Sequence, residues 1–300
     1  MEQRRYAAVV GTFDGMHRGH RYLLDDLGHR AASRGLATRV YTFTDHPLAT
    51  LCPDRAPLML TTLDEKAAML GRSGVNEFSI TDFGGISAMT AREYIELLAA
   101  EGVRLLLIGY DNRFGSDRLV TIDQFIAAAE GTGVEIEQAP ELTDVDGRPI
   151  NSSRIRGLVA AGDVKSAANL LGYHYELTGL VVHGKQLGRT IGFPTANQYV
   201  TDWRKLLPAD GVYACRAVVD GNEYPAMVNI GHRPTVDGAD SPRSIEAHLI
   251  GADCDLYDRR LTIRFHDRLR GEVRFDSVDA LRRQLLLDRE KALNALAAAN

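Results

Sequence analysis

The sequence predicts two folds in series: a doubly wound α/β domain over residues 1–172, and a small antiparallel β-barrel with a C-terminal helix over residues 173–300. Three observations carry this. Apolar strands alternate with amphipathic helices as far as residue 137, the pattern of a parallel sheet covered on both faces. After residue 171 the alternation stops, and short β-rich segments separated by turn residues take over. Residues 277–299 then form one long amphipathic stretch.

The elements follow in order. Tyr6–Val10 is an apolar run stopped by Gly11. Residues 19–34 carry Leu23, Leu24, Leu27 and Ala31 at helical spacing, and Gly35 ends the helix. Residues 38–43 read as a strand around Val40 and Tyr41, residues 66–72 as a helix and residues 78–80 as a short strand. Residues 91–101 form an amphipathic helix with Thr90 as its N-cap. Val103–Ile108 is nearly continuous in apolar residues, as a strand buried on both faces requires. Residues 122–130 are helical, residues 134–137 close the first sheet, and residues 163–171 are a helical connector. Glu176–Val182, Gly211–Val219 and residues 224–230, 243–250 and 260–265 are the barrel segments. Asp220-Gly221 and Asp237-Gly238 are turn signals between them. Ser277 caps the last helix, whose apolar positions include Leu281, Leu285, Leu293 and Leu296.

Composition narrows the function classes. Hydrophobic content of 45% and charged content of 25% suit a soluble globular chain. A net charge of −5 argues against a general nucleic-acid binder, while leaving room for a local basic pocket. Cys52, Cys215 and Cys254 are widely spaced and odd in number, with neither a disulfide framework nor zinc spacing, so a reducing cytoplasm is expected. No signal peptide is visible, and no apolar run approaches the roughly 20 residues that cross a bilayer, so no membrane partner is expected. Oligomeric state stays open.

Four stretches carry chemistry. Gly188-Arg189-Thr190-Ile191-Gly192-Phe193-Pro194-Thr195-Ala196-Asn197 combines glycines that let backbone approach a ligand with the small oxygen donors Thr195 and Asn197, which suit a hard cation such as Mg²⁺. It reads either as a nucleotide-phosphate and metal site or as a tight polar hairpin turn. His17 and His20 lie three apart at a helix start, on one face, where free N–H groups favour a phosphate. They read as catalytic donors, as a metal pair or as a cap. Asn151-Ser152-Ser153-Arg154-Ile155-Arg156 opens another helix, and Arg156 can fork onto phosphate oxygens. In Ser244-Ile245-Glu246-Ala247-His248, strand alternation puts Glu246 and His248 on one face, as a carboxylate site or as an ordinary solvent-facing pair.

Two of these stretches carry a resemblance. Gly11-Thr12-Phe13-Asp14-Gly15-Met16-His17-Arg18-Gly19-His20 resembles the G-x-F-D-G-x-H-x-G-H signature of bacterial FMN adenylyltransferases. Gly188 to Asn197 resembles the G-R-x-x-G-x-P-T-A-N signature of riboflavin kinases. Both in one chain, in this order, resemble the bifunctional bacterial riboflavin kinase/FAD synthetase family over nearly the whole length. The resemblance implies a Rossmann-like nucleotidyltransferase domain followed by a riboflavin kinase domain. It implies ATP as co-substrate, Mg²⁺ as cofactor, and riboflavin, FMN and FAD as small-molecule substrates and products.

It also implies site roles. Glu246, His17 and His20 are the expected catalytic residues. Gly11, Phe13, Asp14, Gly15, Ser152, Ser153 and Arg156 are expected at one ATP site, and Gly184, Gly188, Arg189, Gly192 and Pro194 at the other. Asp111, Asn229 and Arg270 are expected to meet flavin, and Thr195 and Asn197 to hold the metal. Asn229-Ile-Gly-His-Arg-Pro-Thr235 resembles the N-I-G-x-R-P-T motif that precedes the catalytic glutamate. The chain departs from the family pattern at Asn112, where an aromatic is usual, and at Asn151 and Ser153, where serine and threonine are usual. The departures at Asn112 and Asn151 keep a second reading in play, a kinase whose first domain is a regulatory or structural module. A third reading is a flavin or nucleotide sensor without turnover, which the intact His17, His20, Thr195, Asn197 and Glu246 oppose.

Overall fold

The computed structural model describes residues 4–110, 113–184, 188, 191–232, 243–252 and 255–298. The chain divides into two compact units, Met1–Ser152 and Ser153–Asn300.

In the first unit five strands, β1 (Tyr6–Val10), β2 (Ala37–Phe43), β3 (Glu77–Thr81), β4 (Val103–Ile108) and β5 (Glu135–Gln138), form a parallel sheet in the order β3-β2-β1-β4-β5. Alternation sends the side chains of each central strand to two cores. Ala8, Val10, Leu106 and Ile108 pack with Tyr94, Ile95 and Leu98 of α4 (Ala91–Ala100) and Phe125 of α5 (Ile122–Ala129). Ala7, Val9, Leu105 and Leu107 pack with Leu24 and Leu27 of α1 (Arg18–Ser33) and Leu70 of α3 (Leu63–Gly71). That two-sided burial explains the unbroken apolar runs. Replacing one of these core leucines by alanine costs about 2–5 kcal/mol. Strand order reverses between β1 and β4, so the crevice at the carboxyl ends of these strands is the natural ligand position. The loop after Val10 opens there.

Caps set the helix boundaries. Thr62, Thr90 and Thr121 each form a capping box, with Glu65, Glu93 and Gln124. The box at Thr62 starts α3 at Leu63, before the expected residue 66. A short helix α2 (Pro47–Leu51), capped by His46, was not expected.

The second unit begins with α6 (Ser152–Ala161, its first residue shared with the first unit) and α7 (Val164–Leu171). Six strands follow: β6 (Glu176–Val182), β7 (Ala196–Tyr199), β8 (Gly211–Val219), β9 (Asn222–Gly231), β10 (Ser244–Leu249) and β11 (Arg260–Arg270). They close an antiparallel barrel in the order β10-β7-β6-β11-β8-β9. Leu177, Val181, Ala217, Val228, Ile245, Ala247, Ile263 and Phe265 are buried at alternating positions along their strands. The final helix, α8 (Val278–Ala297), lays Ala292 and Leu296 against Ala214, Met227 and Phe193. Covered by this helix as well as by the barrel interior, β8 is buried on both faces over its first half.

Two expectations are corrected. Ala196–Tyr199, read as part of a loop motif, is a strand. β11 runs on past residue 265 to Arg270, through two register shifts. Asp111, Asn112, Arg189, Arg233, Pro234, Thr235 and the Asp237-Gly238 turn lie outside the described residues.

Candidate active sites

In the first unit β1 delivers residues 11–16 to the carboxyl edge of the sheet, and α1 leaves from it. The loop has a demanding backbone. Gly15 adopts φ 80°, and the non-glycine residues Phe13 and Met16 adopt φ 48° and 34°. His17 is the N-cap of α1, and its Nδ1 accepts a hydrogen bond from His20 N at 3.3 Å. An accepting Nδ1 leaves the neutral ring's proton on Nε2, where it is a donor. The His17 and His20 rings stack at 3.6 Å, and Phe13 lies 4.9 Å from His20. The first turn of α1 holds no acidic residue, so the helix N-terminus keeps its positive character.

Asp14 is fully buried. Its carboxylate accepts from Leu60 N, Thr61 N and Thr61 Oγ1, each at 3.0 Å. The Asp14 carbonyl accepts from Ser152 Oγ at 2.9 Å. A Cβ on Gly19 would stand 2.9 Å from the Ile150 carbonyl, so glycine lets the start of α1 meet the 150 segment closely. Two stretches distant in sequence, 11–20 and 150–152, therefore meet within one unit. Ser153 and Arg156 follow Ser152 in the first two turns of α6, Ser153 exposed and Arg156 half-buried.

In the second unit strand register assembles the residues. Glu246 on β10 pairs with Asn197 on β7 and with Asn229 on β9. Residues opposite one another across a ladder share a face. Asn197, Glu246 and Asn229 therefore form one row, on the face opposite buried Ile245 and Ala247. The row continues through Val212 to Arg270.

The loop leading to β7 folds onto itself. Gly188 O accepts from Phe193 N at 2.8 Å and from Ile191 N at 3.3 Å, and Gly192 adopts φ 81°. A Cβ on Gly188 would overlap the Phe193 carbonyl and lie 3.5 Å from Thr195 Oγ1. A Cβ on Gly184 would overlap the Asn197 amide. The two glycines are thus the places where backbone approaches Thr195 and Asn197.

His248 Nδ1 donates to Pro194 O at 2.8 Å, and burial lowers its pKa from the ordinary imidazole value. It ties β10 to the Phe193-Pro194 segment. Arg270 meets Asp288 of α8, with Nε at 2.9 Å and Nη2 at 2.8 Å, and Gln284 Nε2 donates to the other Asp288 oxygen at 2.8 Å. Asp288 is fully buried, so this pair ties β11 to α8. Thr61 and Asp288 leave no local signal in the sequence, whereas His248 is marked there by its same-face spacing with Glu246.

Thr195 and Asn197 offer a hydroxyl and an amide oxygen beside a carboxylate, a donor set that fits a hard cation sharing its ligands with phosphate. Among the described residues no group of three or more His, Cys, Asp or Glu side chains could hold a metal by itself. No helix among them is long and apolar enough to cross a membrane.

Known proteins match both units. A family model for FAD synthetase matches residues 1–154, and one for riboflavin kinase matches residues 171–296. A bifunctional riboflavin kinase/FMN adenylyltransferase of Pseudomonas fluorescens is 37% identical over 300 residues, covering 99% of this chain and 94% of the relative. The protein of the same name from Escherichia coli K12 is 37% identical over 284 residues, covering 93% and 89%. A crystal structure named as a macrolide-efflux protein from Streptococcus pneumoniae superposes with a TM-score of 0.87 at 33% identity, covering 97% of this chain and 94% of that one.

Proposed function

The chain belongs to the bifunctional riboflavin kinase/FMN adenylyltransferase family, and from that premise we propose how its two sites divide the work. The protein phosphorylates riboflavin to FMN with ATP and adenylylates FMN with a second ATP to give FAD and pyrophosphate. Residues 173–300 carry the kinase reaction and residues 1–172 the adenylyl transfer. The two family matches leave residues 155–170, most of α6 and α7, between them.

At the kinase site Glu246 orients the 5′-hydroxyl of riboflavin and takes its proton as the oxygen attacks the γ-phosphate, whose bond to the β,γ-bridging oxygen breaks so that ADP leaves. Asn197 and Asn229 flank it on the neighbouring strands, Asn197 toward the nucleotide and Asn229 toward the flavin. Gly184, Gly188, Arg189, Gly192 and Pro194 line the ATP side, with Thr195 and Asn197 as oxygen ligands to Mg²⁺. Bound there, the ion neutralises phosphate charge. Arg270, anchored by Asp288, belongs to the flavin side.

At the adenylyl site the FMN phosphate attacks the α-phosphate of ATP in line, so no protein nucleophile is needed. Gly11, Phe13, Asp14 and Gly15 shape the nucleotide loop, Asp14 from within. His17 and His20 meet the negative charge that grows on the departing pyrophosphate, supported by the free N–H groups of α1. Ser152, Ser153 and Arg156 bind phosphate oxygens, and Asp111 serves the flavin. A reducing cytoplasm suits Cys52 and Cys215, which are free thiols.

The observation that carries the reading is the row Asn197–Glu246–Asn229, which puts a carboxylate between two amides on adjacent strands. Incubation with riboflavin and Mg-ATP, followed by mass spectrometry, tests it. FMN and then FAD are expected. FMN alone would favour the kinase-only reading, and neither product would favour binding without turnover.

A further inference from the structure

We propose that Thr61 is a positioning residue for adenylyl transfer, its hydroxyl clamping the loop that carries His17; this rests on the assignment of that loop to FMN adenylylation. Thr61 Oγ1 accepts from Gly15 N at 3.2 Å and donates to Asp14 Oδ1 at 3.0 Å. One hydroxyl thus joins the backbone of the loop to the loop's own buried carboxylate. Thr61 is 3% exposed, Asp14 is fully buried, and Leu60 N and Thr61 N complete the set of donors to Asp14.

The loop needs such a clamp. Phe13 and Met16 flank Asp14-Gly15 and hold positive φ without being glycine, a conformation that persists only where the surroundings over-determine it. The Thr61 clamp is itself held at both ends. The next residue, Thr62, caps α3, and Lys66 Nζ in that helix donates to the Phe43 carbonyl at the end of β2, at 2.6 Å. Thr42 Oγ1 on β2 donates to Thr12 O in the loop at 3.0 Å. The segment 60–66 therefore links the loop after β1 to the carboxyl end of β2. His17 follows Met16 directly, so a shift of this loop moves the imidazole stack. A misplacement of about 1 Å can cost about 10²-fold in rate.

The test uses Thr61→Val, which keeps the shape and removes the hydroxyl, beside Thr61→Ser, which keeps the hydroxyl and removes the methyl. Full-length protein is assayed for FAD formation from supplied FMN and, separately, for FMN formation from riboflavin. Thr61→Val is expected to lose about 10²-fold in kcat for FAD formation, with KM for ATP changed far less, while the riboflavin kinase rate stays at the wild-type value. Thr61→Ser is expected to restore FAD formation. FAD formation by Thr61→Val within twofold of wild type would overturn the proposal. So would parallel loss of both activities, which marks a folding role, or a Thr61→Ser variant as slow as Thr61→Val. The His17→Ala/His20→Ala variant, run alongside, separates the two layers: if it still makes FAD, the site assignment fails; if it stops while Thr61→Val does not, only the clamp fails.

Discussion

Glu246 owes its surroundings to strand register. Buried Ile245 and Ala247 fix the alternation of β10, and a one-residue slip would turn the carboxylate into the barrel. Replacing it with glutamine keeps the shape and removes the carboxylate. Glu246→Gln is expected to slow FMN formation by about 10²–10⁴-fold while leaving conversion of supplied FMN to FAD intact. Kinase turnover within a few-fold of wild type would remove Glu246 from the mechanism.

A second residue-scale effect belongs to His266. Its ring stacks on His174 at 3.6 Å, and burial, with His174, Arg216 and Arg264 nearby, lowers its pKa to about 4. Burial lowers His174 as well. In the unfolded chain both rings titrate near the ordinary value of about 6.5. Between that value and about 4, the unfolded chain takes up protons that the folded barrel refuses, so stability falls as pH falls through this window. Denaturant midpoints are expected to drop between about pH 6.5 and pH 4, and His266→Gln to flatten that slope. An unchanged slope in the variant would assign the loss to other groups.

At the scale of elements, the loop before β7 is tightly constrained by its own backbone. A methyl on Gly188 meets the Phe193 carbonyl, which is backbone and yields only if the loop moves. Gly188→Ala is expected to slow riboflavin phosphorylation by about 10²-fold through a displaced Thr195 and Asn197, with the larger change in KM for Mg-ATP. FMN adenylylation measured on the same sample should be unaffected. A wild-type kinase rate would show that the close approach is incidental.

The same elements show what could be read in advance. β1, β4 and the Thr90 cap were readable because two-sided burial and capping leave strong local patterns. β7 was not, since Pro194 and the polar Thr195 and Asn197 read as turn residues, and only pairing with β6 and β10 makes the segment a strand. β11 was cut short because its register shifts break the alternation after Phe265. Asp14 sits in the motif, and its carboxylate is held by Leu60 and Thr61, some 46 residues along the chain. A partner that distant leaves no local pattern, which is why Thr61 was missed.

At the scale of the molecule, two cores support two chemistries. The parallel sheet buries its own strands and helices, and the barrel with α8 buries its own. Units with separate cores can carry separate sites. FMN is then the product of one site and the substrate of the other, and the central claim is that these sites work independently in series. The direct measurement mixes two defective full-length proteins, Glu246→Gln and His17→Ala/His20→Ala, with riboflavin and Mg-ATP, and follows flavins by chromatography with mass detection. Alone, the first should stall at riboflavin and the second at FMN, the histidine pair being worth about 10²–10³-fold. Together they should make FAD, because FMN released by the histidine variant is taken up by the glutamine variant. A mixture that makes no FAD while the wild-type protein does would contradict the account.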